Sequence, residues 1–280
     1  MNRHNKRYLP VFLLPTLIAF TIAFIIPFIL GIFLSFTEFT TVIDAKWVGL
    51  RNYKMAFANK EFVNALWFTV RFAVVSVITI NVFAFLFALM LTRKIKGTNL
   101  FRTMIFMPNL IGGIVLGYIW QLILNGVLYQ YGVTLTFKPE YGFWGLVILM
   151  NWQMVGYMMV IYIAGIQSIP GDIMQAARID GAGSLQMLRK VIIPLVMPSV
   201  TICLFLTMTN SFKLFDQNLA LTAGAPSKKT AMLALDIFNT FYASVGSEGI
   251  GQAKAVVFFL IVALVAYIQL KVTRSKEVEN

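Results

Sequence analysis

Six apolar runs, each of about 20 residues or more, divide this chain and constrain its fold more than any other feature. They cover residues 9–36, 67–92, 103–124, 142–166, 192–215 and 252–272. A helix of that length matches the hydrocarbon thickness of a bilayer, and a soluble core has no need to segregate its apolar residues so strictly. Charged residues make up only 12% of the 280-residue chain, about half the share of a soluble domain. That supply is too small to cover a water-facing surface. The first run is longer than the h-region of a secretory signal and has no small-x-small cleavage pattern before Glu38, so it reads as a retained signal-anchor span. The expected fold is all-α transmembrane, with an N-terminal tail at 1–8, a membrane domain at 9–272 and a C-terminal tail at 273–280.

Basic residues orient the spans. Arg3, Lys6 and Arg7 precede the first, and Arg93, Lys94, Lys96 and Arg102 follow the second. Arg178, Arg189 and Lys190 fall between the fourth and fifth, and Lys271, Arg274 and Lys276 close the chain. The acids on that side are Asp172, Asp180, Glu277 and Glu279. On the other side Lys46, Arg51, Lys54, Lys60, Lys138, Lys228 and Lys229 are balanced by a similar number of acids. Both termini and the 167–191 loop are therefore expected in the cytoplasm. The net charge of +12 is an orientation signal and not a nucleic-acid footprint, which would need a basic patch on a soluble face.

Several chemistries are excluded by composition. Cys203 is the single cysteine and His4, in the charged N-terminal tail, the single histidine, so no disulfide framework, histidine metal site or catalytic triad can be assembled. No phosphate-binding GxxxxGK[ST] loop occurs, so the chain cannot hydrolyse ATP by that route. An ion-coupled secondary transporter would show acids or histidines inside its spans and a repeated half, and neither is present. Asp180-Gly181 faintly suggests a metal-dependent membrane phosphotransferase, but no further Asp follows before Asp216, beyond the next span. No catalytic residue and no metal ligand is assigned.

The loop between the fourth and fifth spans is more specific. It reads Gln175-Ala176-Ala177-Arg178-Ile179-Asp180-Gly181-Ala182, then Leu188-Arg189-Lys190-Val191-Ile192-Ile193-Pro194. Pro170 and Gly171 break the fourth span, and Asp172 is positioned to cap a helix starting at Ile173. Ile173, Ala176, Ala177 and Asp180 fall at helical spacing, so the alanines share a face that a partner can approach closely. Gly181 and Gly183 permit a sharp turn into a second short helix through Leu185 and Leu188, and Pro194 stands at the head of the fifth span. This pattern resembles the "EAA" loop of the integral-membrane subunits of bacterial ABC importers. It departs from that family at Gln175, where glutamate is usual, and at Leu188, where an aromatic is usual.

The resemblance implies a six-helix type I importer permease whose 167–193 loop carries coupling helices. It casts Gln175, Ala176, Ala177, Asp180, Gly181 and Ala182 as the residues that dock on a cytosolic ATPase. It also implies two ATPase subunits, which use the ATP while this chain has no cofactor of its own. A second permease subunit and an external solute-binding protein complete the assembly, in a bacterial inner or plasma membrane and in contact with lipid. Trp47-Val48-Gly49-Leu50-Arg51-Asn52-Tyr53 and Thr222-Ala223-Gly224-Ala225-Pro226 resemble pieces at matching places in the carbohydrate-importing branch. The charged C-terminus, in place of a Gly-rich ending, matches the first-type half of a heterodimer.

Polar side chains mark where a solute would pass. The fifth span holds Thr201, Thr207, Thr209, Asn210, Ser211, Lys213, Asp216 and Gln217, with Thr207, Asn210, Ser211 and Leu214 on one helical stripe. Lys213 and Asp216 are spaced to pair across one turn. The fourth span adds Asn151, Trp152, Gln153 and Tyr157, and the second adds Arg71 and Asn81. In similar maltose-type permeases the positions matching Tyr157, Thr207, Asn210, Ser211 and Leu214 line the translocation pathway. A sugar would then meet Trp152 or Tyr157 beside Asn210 and Ser211. The other role open to these groups is hydrogen bonding between helices. Which sugar, polyol or glycerol phosphodiester is carried stays open.

Overall fold

Long apolar windows run as single helices here unless a proline or a glycine pair interrupts them. The computed structural model describes residues 13–93, 96–243 and 246–277. The N-terminal tail with Arg3, His4, Lys6 and Arg7, the start of the first span at Leu9, Lys94 and the tail end with Glu279 lie outside the described residues. Helix α1 (Leu13–Leu34) leads into a two-residue ribbon, β1 (Thr37–Glu38) with β2 (Lys46–Trp47), and then α2 (Arg51–Ala58). Helices α3 (Lys60–Leu91), α4 (Thr98–Phe106), α5 (Gly113–Leu128) and α6 (Pro139–Gln167) follow. Then come α7 (Gly171–Ile179), α8 (Ser184–Leu195), α9 (Met197–Phe212) and α10 (Asp216–Leu221). The last two are α11 (Leu233–Ala243) and α12 (Glu248–Arg274). Helices α1, α3, α5, α6 and α12 are each long and apolar enough to cross a membrane, and α8 with α9 makes a sixth, bent span.

Two compact units result. The first joins residues 1–60 to 237–259. Within it Phe28 of α1 meets Phe259 of α12 edge-on, ring centroids 4.9 Å apart. The buried Asn52 amide donates to the carbonyls of Ser35 and Thr37 at 3.0 and 2.8 Å, tying α2 to the end of α1. Lys254, buried, donates to Thr240 Oγ1 at 2.8 Å.

The second unit joins residues 61–236 to 260–280, and α6 is its centre. In α6 67% of the apolar window is buried, against 33% in α3, so α6 is the helix the others pack around. Gly156 allows that packing: a methyl group there would overlap the carbonyl of Ile105, so α4 crosses α6 at backbone contact. The core includes Phe72 and Ile80 of α3, Leu146, Met158 and Tyr162 of α6, and Cys203 of α9. Arg102 of α4 donates to the Leu91 carbonyl at 2.6 Å, placing a cation on the negative C-terminus of α3.

Three sequence expectations need correction. The third span does not run 103–124: Pro108, within a 3₁₀ turn at Met107–Leu110, and then Gly112-Gly113 separate α4 from α5. Pro194 does not head the fifth span either, because it lies within α8 and the 69° break falls at Val196, before Pro198. A proline ring collides with the carbonyl four residues earlier. At Pro194 that carbonyl belongs to Lys190, and a π turn at Met187–Ile192 widens the helix around it. A π turn at Thr21–Ile25 does the same for Ala23 ahead of Pro27 in α1. Asp172 is not a cap: α7 begins at Gly171 after Pro170, and the Asp172 carboxylate sits in the first turn, where the helix dipole favours it.

Candidate coupling surface and solute pathway

The end of α7 is closed by backbone hydrogen bonds, and one side chain, Gln186, joins them at the start of α8. Asp180 ends α7, Ala182 N–H donates to Ala177 O at 3.0 Å, and Gly181 N–H donates to Arg178 O at 3.1 Å. These two bonds form a Schellman motif, which requires a left-handed residue at its C′ position. Gly181 has φ +77° there, the conformation glycine adopts at least cost. Gly183 is extended and is the N-cap of α8, its N–H donating to Gln186 Oε1 at 3.0 Å. Met187 is buried and anchors the start of the α8 π turn.

Most side chains of this loop are exposed. Gln175, Ala176, Asp180 and Gly181 are exposed, and Ala177 and Ala182 are half-buried. Neither Gln175 nor Asp180 makes a side-chain hydrogen bond or ion pair within the described residues. Ile179 is 86% exposed and Leu185 59%, so an apolar strip stands beside the small alanines. The six loop residues singled out in the sequence thus share one exposed helix–turn–helix.

The polar residues of the spans divide into two groups. Tyr162 of α6 donates to Asn81 Oδ1 of α3 at 2.7 Å, Asn81 Nδ2 donates to Thr207 Oγ1 of α9 at 3.0 Å, and Thr207 donates to the Cys203 carbonyl at 2.7 Å. This buried relay joins three helices and leaves Thr207 no free donor. Asn151 similarly donates to Thr79 Oγ1 at 2.9 Å. Ser211 is also fully buried.

The second group surrounds a cavity of about 200 Å³ between α6, α9 and α10, with Asn109 at its edge. Asn210, Leu214, Gln153, Gln217 and Lys213 line it with Met150 and Met154. Gln217 Nε2 donates to Gln153 Oε1 at 2.8 Å, and Asn210 Nδ2 donates to Leu206 O at 2.8 Å. Among the expected pathway residues, the structure brings together Asn210 and Leu214. Trp152 instead packs edge-on against Trp120, centroids 5.7 Å apart, and Tyr157 against Phe106 at 6.5 Å. Lys213 and Asp216 do not pair, because α9 stops at Phe212 and Asp216 opens a separate helix. Gln153 and Gln217 were visible only as members of polar stretches; no spacing rule couples residues that far apart.

Beyond the cavity, the turn after α10 is tied together by side chains. Asn218 donates to Thr222 Oγ1 and Thr230 O at 3.0 and 2.8 Å, and its Oδ1 accepts from Met232 N–H at 2.9 Å. Asn218, Thr222 and Thr230 are all buried.

The family model for "Binding-protein-dependent transport system inner membrane component" matches residues 92–276. The chain is 45% identical over 278 residues to a "Probable starch degradation products transport system permease protein AmyD" of Thermoanaerobacterium thermosulfurigenes, covering 96% of this chain and 94% of that one. It is 31% identical over 284 residues to the "Multiple sugar-binding transport system permease protein MsmF" of Streptococcus mutans, covering 98% of each. Among solved structures, a chain of a bacterial ABC transporter involved in the import of the acidic polysaccharide alginate superposes with TM-score 0.81, at 21% identity and 96% coverage of both chains.

Proposed function

The chain belongs to the family of binding-protein-dependent transport system inner membrane components, and on that premise we propose that it forms half of the translocation pathway of an ATP-driven carbohydrate importer. It is a membrane-bound, non-catalytic permease subunit. The observation that carries the mechanism is the exposed α7–α8 turn, closed by main-chain bonds and the Gln186 cap, which leaves Gln175 and Asp180 free of side-chain partners among the described residues. Small Ala176 and Ala177 let an ATPase surface come close, and Ile179 and Leu185 supply apolar contact. Closure of two ATPase subunits on ATP would push α8, and the 69° elbow at Val196 would pass that displacement to α9 as a rigid-body tilt.

The orientation follows from charge: the tails and the α7–α8 loop face the cytoplasm. A second permease supplies the other wall and an external binding protein delivers the solute. Asn210, Gln153 and Gln217 would meet sugar hydroxyls and Leu214 the apolar face of the ring, with Trp152, Tyr157, Thr207 and Ser211 shaping the surrounding helices. The relative named for starch degradation products, at 45% identity, favours an oligosaccharide of glucose. The test is uptake of labelled maltooligosaccharides into proteoliposomes holding this chain with its partner subunits and binding protein. ATP-dependent accumulation supports the reading. Accumulation driven by an ion gradient without ATP refutes it.

A further inference from the structure

Away from the pathway cavity, α3 and the start of α6 border a larger groove of about 680 Å³. Its walls are Trp67, Arg71 and Val74 of α3, Phe143 and Trp144 of α6, and Lys229 from the turn after α10. Both tryptophans are more than half exposed. Arg71 and Lys229 make no side-chain hydrogen bond or ion pair among the described residues. Adjacent Lys228, by contrast, is held by Glu61 at 2.9 Å. Glu140 also lines the groove and pairs with neither cation.

The depth of Arg71 identifies what could neutralise it. Arg71 lies twenty residues before Leu91, about 30 Å along the helix, which equals the hydrocarbon thickness. With Leu91 at one boundary, Arg71 stands at the other, where phospholipid phosphates lie. Tryptophan prefers that same level, and Trp67 and Trp144 flank the site. A guanidinium there is stable only against an anion or in water. Toward the hydrocarbon the groove is apolar, walled by Val74 and Val75, with Phe143 at the level of Arg71 packed on Phe68 and Phe72. We propose that this groove binds an anionic phospholipid, its phosphate between Arg71 and Lys229 and an acyl chain running past Phe143 over Val74 and Val75. Two cations against the single carboxylate of Glu140 match a head group with one net negative charge. A free phosphate would satisfy the cations and leave the apolar walls bare, and a neutral sugar would leave the cations uncompensated.

The test is native mass spectrometry of the assembled importer titrated with dioctanoyl phosphatidylglycerol, dioctanoyl phosphatidylcholine or glycerol 3-phosphate. Phosphatidylglycerol should bind about tenfold more tightly than phosphatidylcholine, as one charge-assisted contact implies. Arg71→Gln with Lys229→Gln should erase that preference, Arg71→Lys should retain most of it, and glycerol 3-phosphate should not displace the lipid. Lys229→Gln alone, on an exposed turn, should weaken the preference even if the double variant fails to assemble. Equal binding of the two lipids by the unaltered protein overturns the proposal. So does displacement by glycerol 3-phosphate, which would make the site one for soluble phosphates. A photoreactive residue at Val74 that captures the second permease subunit in place of lipid also overturns it. The readout is lipid mass, so failure here leaves the transport assignment intact, and failure of transport leaves this result readable.

Discussion

Two turns flank α9, and they differ in where their polar side chains go. The α7–α8 turn is closed by main-chain bonds around Gly181 and by the Gln186 cap, and the side chains of Gln175 and Asp180 are left exposed. The turn after α10 also has main-chain bonds, but its polar side chains Asn218, Thr222 and Thr230 turn inward to tie it together, every one of them buried. A turn that uses its own side chains is complete within the chain. One that withholds them presents a surface, and small or apolar residues on that surface suit a protein partner more than water.

The sharpest break of this contrast is Asn218→Leu. It orphans the Met232 N–H and the Thr230 carbonyl in a buried turn and should cost about 3 kcal/mol. Thermal unfolding of the purified subunit assembly would report it as a clear drop in Tm. Gly181→Val comes next: the left-handed backbone costs a β-branched residue about 1–2 kcal/mol. The effect is confined to the loop, so Tm should barely move while ATP-dependent uptake falls about tenfold. Unchanged uptake would mean that the turn geometry is not used.

Thr207→Val is a smaller perturbation. It removes the acceptor for Asn81 within the α3–α6–α9 relay and should cost about 1 kcal/mol, without changing sugar selectivity. Changed selectivity, read by competing sugars in uptake assays, would move Thr207 from packing to the pathway. Smallest is the β1–β2 tip, a third kind of turn closed by a carboxylate. Backbone N–H donors of Thr41 and Thr40 hold the Asp44 carboxyl below the usual Asp range. A lowered pKa contributes order that is fully present above the unfolded value and is lost as pH falls through the folded one. Hydrogen exchange at Thr40 and Thr41 should therefore be slow at neutral pH and faster at strongly acid pH, measured against intrinsic rates. In Asp44→Asn the protection should be nearly independent of pH.

Much of this was legible in the chain. Span lengths fix the helices because hydrocarbon thickness does, and Gly181 announced its turn because few residues accept a left-handed backbone. The elbow was not legible: Pro194 and Pro198 carry the same local signal, and only packing decides which is absorbed by a π turn and which ends the helix. Likewise Lys213 and Asp216 are partners only if α9 continues, which depends on α10 folding back. The cavity residues were half legible. Asn210 and Leu214 follow from the stripe, whereas the Gln153–Gln217 contact joins separate helices and has no sequence signature.

The outward-facing loop is tested most directly by Ala177→Cys cross-linking in the assembled importer. Cys203 is buried and should stay silent, so the introduced thiol provides the signal. Expected is a cross-link to the ATPase subunit, together with protection from a membrane-impermeant thiol reagent applied to the outside of intact cells. Labelling from the outside, or no ATPase captured in the assembled complex, would contradict the coupling role of α7 and α8.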